Sequence, residues 1–323
     1  MANKLYVAMF HYTRDLANSR YPKIKGLDVE LFKKQLDFFA ANFNVVTMEK
    51  VVETWASTPP LQGLPDNALL LTFDDGYIDN YLVAFPLLKQ HNFQGSFFMP
   101  GKTFTENVLL DVNKIHFILA SADNSKNLMD DVINEINRSR AEGRNDFPTN
   151  EELIEKYAKA NRFDDKETVF VKRVLQTALP EDLRTGISSR LFIKYVGLAE
   201  DKFARELYMN RDQIKLMKDA GMFIGLHGYD HYWLGNLRVE KMQADLDKSL
   251  DVMRDFIDSK SWVMNYPYGN CNDDVINYIS DKGCALGLTT EVRAADVTKD
   301  NKYLLPRLDC NDFPPKSDNY KKF

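Results

Sequence analysis

Apolar residues in the first hundred positions gather into short runs, separated by polar stretches in which hydrophobic side chains return at helical spacing. Residues 6–10 make the first strand-like run and end at His11. A polar loop over 12–27, with Arg14, Asp15 and Arg20, leads to Asp28, a suitable N-cap for the helix that follows. Leu31, Phe32, Leu36 and Phe39 keep to one face of that helix. Val45-Val46 reads as a short strand, and Pro59, Pro60, Gly63 and Pro65 mark a loop. The next run, up to Phe73, is continuous rather than alternating, as in a strand buried on both faces. A helix is predicted over 77–90, bent or ended midway by Pro86, and then a strand over 95–99 closed by Pro100-Gly101. Strand, helix, strand in this order implies parallel strands with covering helices.

From 102 to 209 the alternation stops. The stretch is charged and helix-forming, with Ile115, Ile118 and Leu119, and again Val169, Phe170, Val174 and Leu175, at helical spacing. An inserted bundle of helices is the reading. Alternation returns at Asn210, an N-cap with Gln213 three positions on, for a helix ending at Gly221. A strand over 222–226 runs directly into His227-Gly228-Tyr229-Asp230-His231. A helix over 239–256, a strand over 262–264, a helix over 273–282 and a strand over 285–288 follow. The last strand candidate is 304–308, with Arg307, before Pro314-Pro315 and a polar tail. The chain is therefore divided into a first α/β part (1–101), a helical insertion (102–209), a second α/β part (210–312) and the tail (313–323).

A chain of 323 residues, 44% hydrophobic, can fill one large core or two ordinary ones. Its net charge of -5, with no basic run interleaved with aromatics, argues against a nucleic-acid partner. Cys271, Cys284 and Cys310 form no CxxC pair and cannot all be bridged, which suggests a reducing compartment. No run is long enough to span a bilayer or to act as a signal segment, so a cytoplasmic protein is expected.

The chemistry gathers at two strand ends. Asp74-Asp75-Gly76 closes the continuous apolar run, and two adjacent carboxylates there cost free energy unless a cation or a proton separates them. Neighbours in a strand point opposite ways, so one aspartate can bind a metal while the other acts as a base. Asp-Gly alone is equally a common turn signal. His227 and His231, four apart, can place both imidazoles on one side, and two histidines with a carboxylate suit a catalytic zinc that keeps a position open. Both sets follow buried strands, so a parallel barrel would bring them to one rim.

Three segments carry a resemblance. Thr72-Phe73-Asp74-Asp75-Gly76, His227-Gly228-Tyr229-Asp230-His231 and Tyr266-Pro267-Tyr268-Gly269 resemble, in order, the first three motifs of the polysaccharide deacetylase (NodB-like) family. The resemblance implies a distorted parallel (β/α) barrel with fewer than eight complete repeats, and the inserted helical bundle lies outside the family's common pattern. It implies Asp74 as general base, and Asp75, His227 and His231 as ligands of a divalent metal, most often zinc. The backbone N–H of Tyr268 would help hold the oxyanion, and the substrate would be an N-acetylated sugar or glycan. Two positions depart from the pattern. Asn265 stands where the third motif usually begins with an arginine, and no histidine follows His231 to serve as general acid. His11, at the end of the first strand, is the first choice for the acid, with His116 of the insertion as the other; His91 precedes a strand and belongs to the wrong rim. Arg307, on a late strand, is expected to take over the cationic contact with Asp74. Tyr77, Asn265 and His116 join Tyr268 as the expected substrate-facing set. The competing readings are a carbohydrate-binding protein without activity and a hydrolase of another C–N amide bond.

Overall fold

The computed structural model describes residues 4–56, 63–161 and 164–323. Pro59 and Pro60 of the expected loop lie outside the described residues. The chain forms two compact units, one of residues 1–15, 26–107 and 205–323, the other of 16–25 and 108–204.

In the first unit the strands are β1 (Lys4–Phe10), β2 (Thr13–Arg14), β3 (Leu27–Asp28), β4 (Asn44–Val45), β5 (Ala68–Phe73), β6 (Gly95–Met99), β7 (Phe223–Leu226), β8 (Trp262–Asn265), β9 (Cys284–Leu288), β10 (Ala295–Asp296) and β11 (Leu308–Asp309). β1, β5, β6, β7, β8 and β9 pair in that order and all in parallel. β4 joins β5 in parallel, while β10 runs antiparallel to β1, a pairing that the sequence does not announce. β5 is buried at every residue, as its continuous apolar run implies.

The two ends of this sheet are brought together by one segment. Leu305 bridges Leu288 of β9, and three residues later Leu308 and Asp309 pair with Ala8 and Met9 of β1, both in parallel. The expected strand over 304–308 is thus shorter and shared between two neighbours, with Pro306, which has no N–H to give to a ladder, in its middle. The result is a distorted (β/α) barrel. Arg307 lies in the closing segment, which decides where its side chain reaches.

Helices cover the strands: α1 (Val29–Asn42), α2 (Met48–Ala56), α3 (Phe85–Gln90) and the short α4 (Lys102–Thr105) come before the second unit. The expected helix over 77–90 is instead a wider-wound turn over Asn80–Ala84 followed by α3, with Pro86 in the first turn, where a missing N–H costs nothing. Alternate strand residues separate two clusters. Leu5, Val7, Leu70, Phe98 and Val263 pack with Met48 and Val51 of α2. Ala8, Phe10, Leu71, Phe73 and Met99 pack with Phe32, Leu36 and Phe39 of α1.

The second unit is helical: α5 (Asp111–Ser121), α6 (Ser125–Ala141), α7 (Asn150–Tyr157), α8 (Lys166–Arg173) and α9 (Glu181–Val196), left through α10 (Glu200–Leu207). Ile115, Phe117, Val132, Phe170, Ile187 and Phe192 are fully buried within it. Residues 16–25, expected as part of the first loop, belong to this unit, with Tyr21 against Phe117 and Phe203. The first unit resumes with α11 (Arg211–Asp219), capped by Asn210 and Gln213 reciprocally as the sequence implies, then α12 (Val239–Met253) and α13 (Asp273–Asp281). The last residues are not a free polar tail: Phe313 is fully buried and stacks with Tyr320, which also packs against Phe38 and Phe43. All three cysteines are free. Among the described residues no helix is long and apolar enough to cross a membrane.

Candidate active site

Each motif sits where a parallel strand ends and the backbone turns through the left-handed region. After β5, Asp74 still donates its N–H to Phe10 O at 2.9 Å, and then Asp75 (φ 71) and Gly76 (φ 67) turn the chain. A Cβ at Gly76 would approach Met99 Cγ to 2.8 Å, so only glycine fits. After β7, the histidine pair is carried by a tight loop, with Gly228 at φ 69 and His231 at φ 55. After β8 the Tyr266–Gly269 turn holds Tyr268 at φ 58. Five non-glycine residues have positive φ among the described residues, and three of them, Asp75, His231 and Tyr268, carry these motifs. Such strain, about 1–3 kcal/mol per residue, persists only where the surroundings enforce it, and it clusters at functional sites.

Asp75, His227 and His231 offer ligand atoms that all lie within 4.8 Å of one another. Nε2 of His227 is 3.4 Å and Nε2 of His231 3.2 Å from Asp75 Oδ1, and all three residues are buried. The His227 Nδ1–H donates to Asn265 O at 2.6 Å, which leaves a lone pair on Nε2. Burial, outweighing its carboxylate neighbours, holds the His231 pKa below its ordinary value, which favours the neutral ring. Asp75 Oδ1 has no hydrogen-bond donor among the described residues. Its other oxygen accepts from the Tyr77 hydroxyl at 2.5 Å. Two imidazole nitrogens and one carboxylate oxygen thus converge on one point. That donor set fits a divalent cation bound by two imidazoles and one carboxylate.

Asp74 faces a different set. Arg307 Nη1 and Nη2 donate to Asp74 Oδ1 and Oδ2 at 2.8 and 2.9 Å, and Asn265 Nδ2 donates to Oδ1 at 2.6 Å. Arg307 is itself fixed by Nε to Thr289 O at 2.8 Å and Nη1 to Thr72 Oγ1 at 3.2 Å. His11 Nε2 stands 3.7 Å from Asp74 Oδ2, with its side chain 37% exposed. Burial pushes the Asp74 carboxyl up, but the Arg307 guanidinium and the imidazoles of His11 and His227 together bring it below the ordinary carboxylate value. Adjacent aspartates therefore have separate partners: cationic and amide donors for Asp74, imidazole lone pairs for Asp75.

Of the expected substrate-facing residues, Tyr77 and Asn265 turn inward. Both are fully buried, Tyr77 behind Asp75 and stacked on Tyr12 at 3.9 Å, Asn265 behind Asp74. Burial and the nearby Asp75 carboxylate hold the Tyr77 hydroxyl well above its usual pKa, so it stays a donor. The half-exposed Tyr268 ring packs edge-on to His231 at 4.7 Å and lies flat on Trp233 at 4.3 Å. Trp233 carries no motif that singles it out. His116 belongs to the helical unit, where it lines a cleft of about 470 Å³ with Lys23, Lys25, Asp164 and Lys172. His91 pairs with Asp37 at 3.6 Å, away from these groups.

Comparison with known proteins points to one family. A sequence profile of the family described as polysaccharide deacetylase matches residues 62–161 and 188–287. The Bacillus subtilis protein YxkH is 25% identical over 122 residues, 37% of this chain; the match spans only 41% of that relative. Among solved structures, the Streptococcus pyogenes deacetylase PplD superposes with a TM-score of 0.57 at 16% identity, over 99% of this chain and 97% of its own. IcaB from Ammonifex degensii gives a TM-score of 0.57 at 18% identity, over 100% and 99%. At such identities the structures speak to the fold alone, while the profile covers more than half of the residues and includes the Asp74-Asp75 and His227–His231 motifs. On that match the chain belongs to the polysaccharide deacetylase family.

Proposed function

We propose that the protein hydrolyses the N-acetyl group of a sugar unit in a glycan, with one divalent metal held by Asp75, His227 and His231. The observation that carries this reading is the division of labour between Asp74 and Asp75. A binding protein with a structural metal would need the three ligands alone. It would have no use for a second buried carboxylate kept ionised by a bidentate arginine.

When bound, a divalent cation such as zinc acidifies water and polarises the acyl oxygen. The protein groups then divide the proton traffic. Asp74 Oδ1 accepts from both Arg307 Nη1 and Asn265 Nδ2, whereas Oδ2 accepts only from Arg307 Nη2 and faces His11, so Oδ2 is the atom we assign to accept the proton of the attacking water. His11 Nε2, on the exposed side, delivers a proton to the departing amine; the bond broken is C–N, and the products are acetate and a free amino sugar. The backbone N–H of Tyr268 is the donor we assign to the developing oxyanion. Tyr77 keeps Asp75 to a single free oxygen by occupying the other.

The direct test is acetate release from N-acetylated oligosaccharides by zinc-loaded and metal-stripped protein. Release by the loaded protein only, lost in His227→Ala together with metal content, is the expected result. Release that is undiminished after stripping, or absent with every N-acetylated glycan tried, would overturn the proposal.

A further inference from the structure

Helix α12 buries a carboxylate that the chemistry above does not use. Asp245, midway along the helix, is 6% exposed. Taking a carboxylate out of water is costly unless it is fully hydrogen-bonded. Its bonds go to main-chain amides: Oδ2 accepts from the N–H of Tyr229 and Oδ1 from that of Asp230, each at 2.9 Å. Those amides belong to the loop between the two histidine ligands. From the other side the carbonyls of Gly228 and Tyr229 accept from the N–H groups of Gly101 and Lys102, both at 3.0 Å. The fit is close, since a Cβ on Gly228 would stand 3.1 Å from Asp245 Oδ2.

The two histidines depend on this loop unequally. His227 is anchored through its own ring by the bond to Asn265 O. Ligating histidines ordinarily donate their second ring N–H to such a partner. His231 does not: its buried Nδ1 has no hydrogen-bond partner among the described residues, and its backbone sits at φ 55. The direction of that imidazole therefore rests on the main chain that carries it.

We infer that Asp245 is a positioning residue for the metal site, setting the backbone of 228–230 and through it the His231 imidazole. This rests on the metal reading of Asp75, His227 and His231. Zinc affinity, by competition with a chromophoric chelator, and the visible spectrum of the cobalt(II) form are measured on full-length Asp245→Ala and Asp245→Asn, with His227→Ala as control. Asp245→Ala should weaken zinc binding roughly 10–100-fold and alter the cobalt bands, because outer partners of a ligand tune affinity by that much. Asp245→Asn, which keeps one acceptor, should fall between it and the wild type. Wild-type affinity and an unchanged cobalt spectrum in a variant with native near-ultraviolet circular dichroism would overturn the inference; if Asp245→Ala does not fold, Asp245→Asn decides. Should His227→Ala also bind zinc normally, the metal reading itself would fall. If that control loses zinc while the Asp245 variants keep it, only the role of Asp245 is refuted.

Discussion

Removing Arg307 asks whether Asp74 is kept ionised by a partner that the third motif does not supply. In the wild type the pair is almost wholly buried, 1% and 2% exposed, and joined by two parallel hydrogen bonds of 2.8 and 2.9 Å. Arg307→Ala leaves Asp74 with Asn265, a neutral donor, and with His11, whose exposed side chain is screened by water. Breaking one side of a buried ion pair costs about 3–5 kcal/mol, because a charge is left without compensation. The sign of the pH effect follows. With its folded pKa lowered, the Asp74 carboxylate stabilises the fold above its unfolded value, and this is lost as pH falls through the folded one. Without Arg307 the largest remaining influence is burial, which acts upward, so the carboxyl is protonated at higher pH. Urea unfolding at pH 7 should show the stability loss, and the acid limb of kcat/KM should move to higher pH with metal content unchanged. Arg307→Ala combined with Asp74→Asn should regain most of the stability, since no uncompensated charge remains. A loss under about 1 kcal/mol together with an unmoved acid limb would refute the reasoning, because a solvated pair of that kind is worth no more.

Three further outcomes are expected. Asp74→Asn should retain metal and lose activity by roughly 10²–10⁴, whereas Asp75→Asn should lose metal first; parallel loss of metal in both, by elemental analysis, would contradict the division of labour. His11→Ala should abolish most acetate release and His116→Ala little of it, and the reverse pattern would move the acid to the helical unit. Tyr77→Phe removes the donor on Asp75 Oδ2 and should weaken zinc roughly 10–100-fold, as measured by chelator competition, while equal affinity would make the hydroxyl irrelevant to the ligand.

Much of the barrel is written in local pattern. A continuous apolar run of strand length suits a strand buried on both faces, and Asn210 with Gln213 three positions on suits a helix start, because hydrophobic period and cap chemistry act between near neighbours. For the same reason Asp74, Asp75, His227 and His231 were legible: each stands at the end of such a strand, and parallel strands carry their ends to one rim. Arg307 was legible by its place on a late strand and by the charge that Asn265 lacks. Side-chain direction was not. Whether Tyr77 meets substrate or a ligand depends on two successive left-handed residues, Asp75 and Gly76, which send the phenol inward. The pairing of Leu308 and Asp309 with Ala8 and Met9 joins opposite ends of the chain, and no local propensity encodes it. Asp245 reads in sequence as one more polar residue on an amphipathic helix. Only the docking of α12 against the histidine loop turns it inward toward two main-chain amides. Local sequence determined which chemical groups stand at the strand ends, since propensity and burial work over a few residues. Tertiary packing decided which of them face one another, since that depends on closure of the barrel and on backbone conformations that non-glycine residues adopt only when their neighbours hold them there.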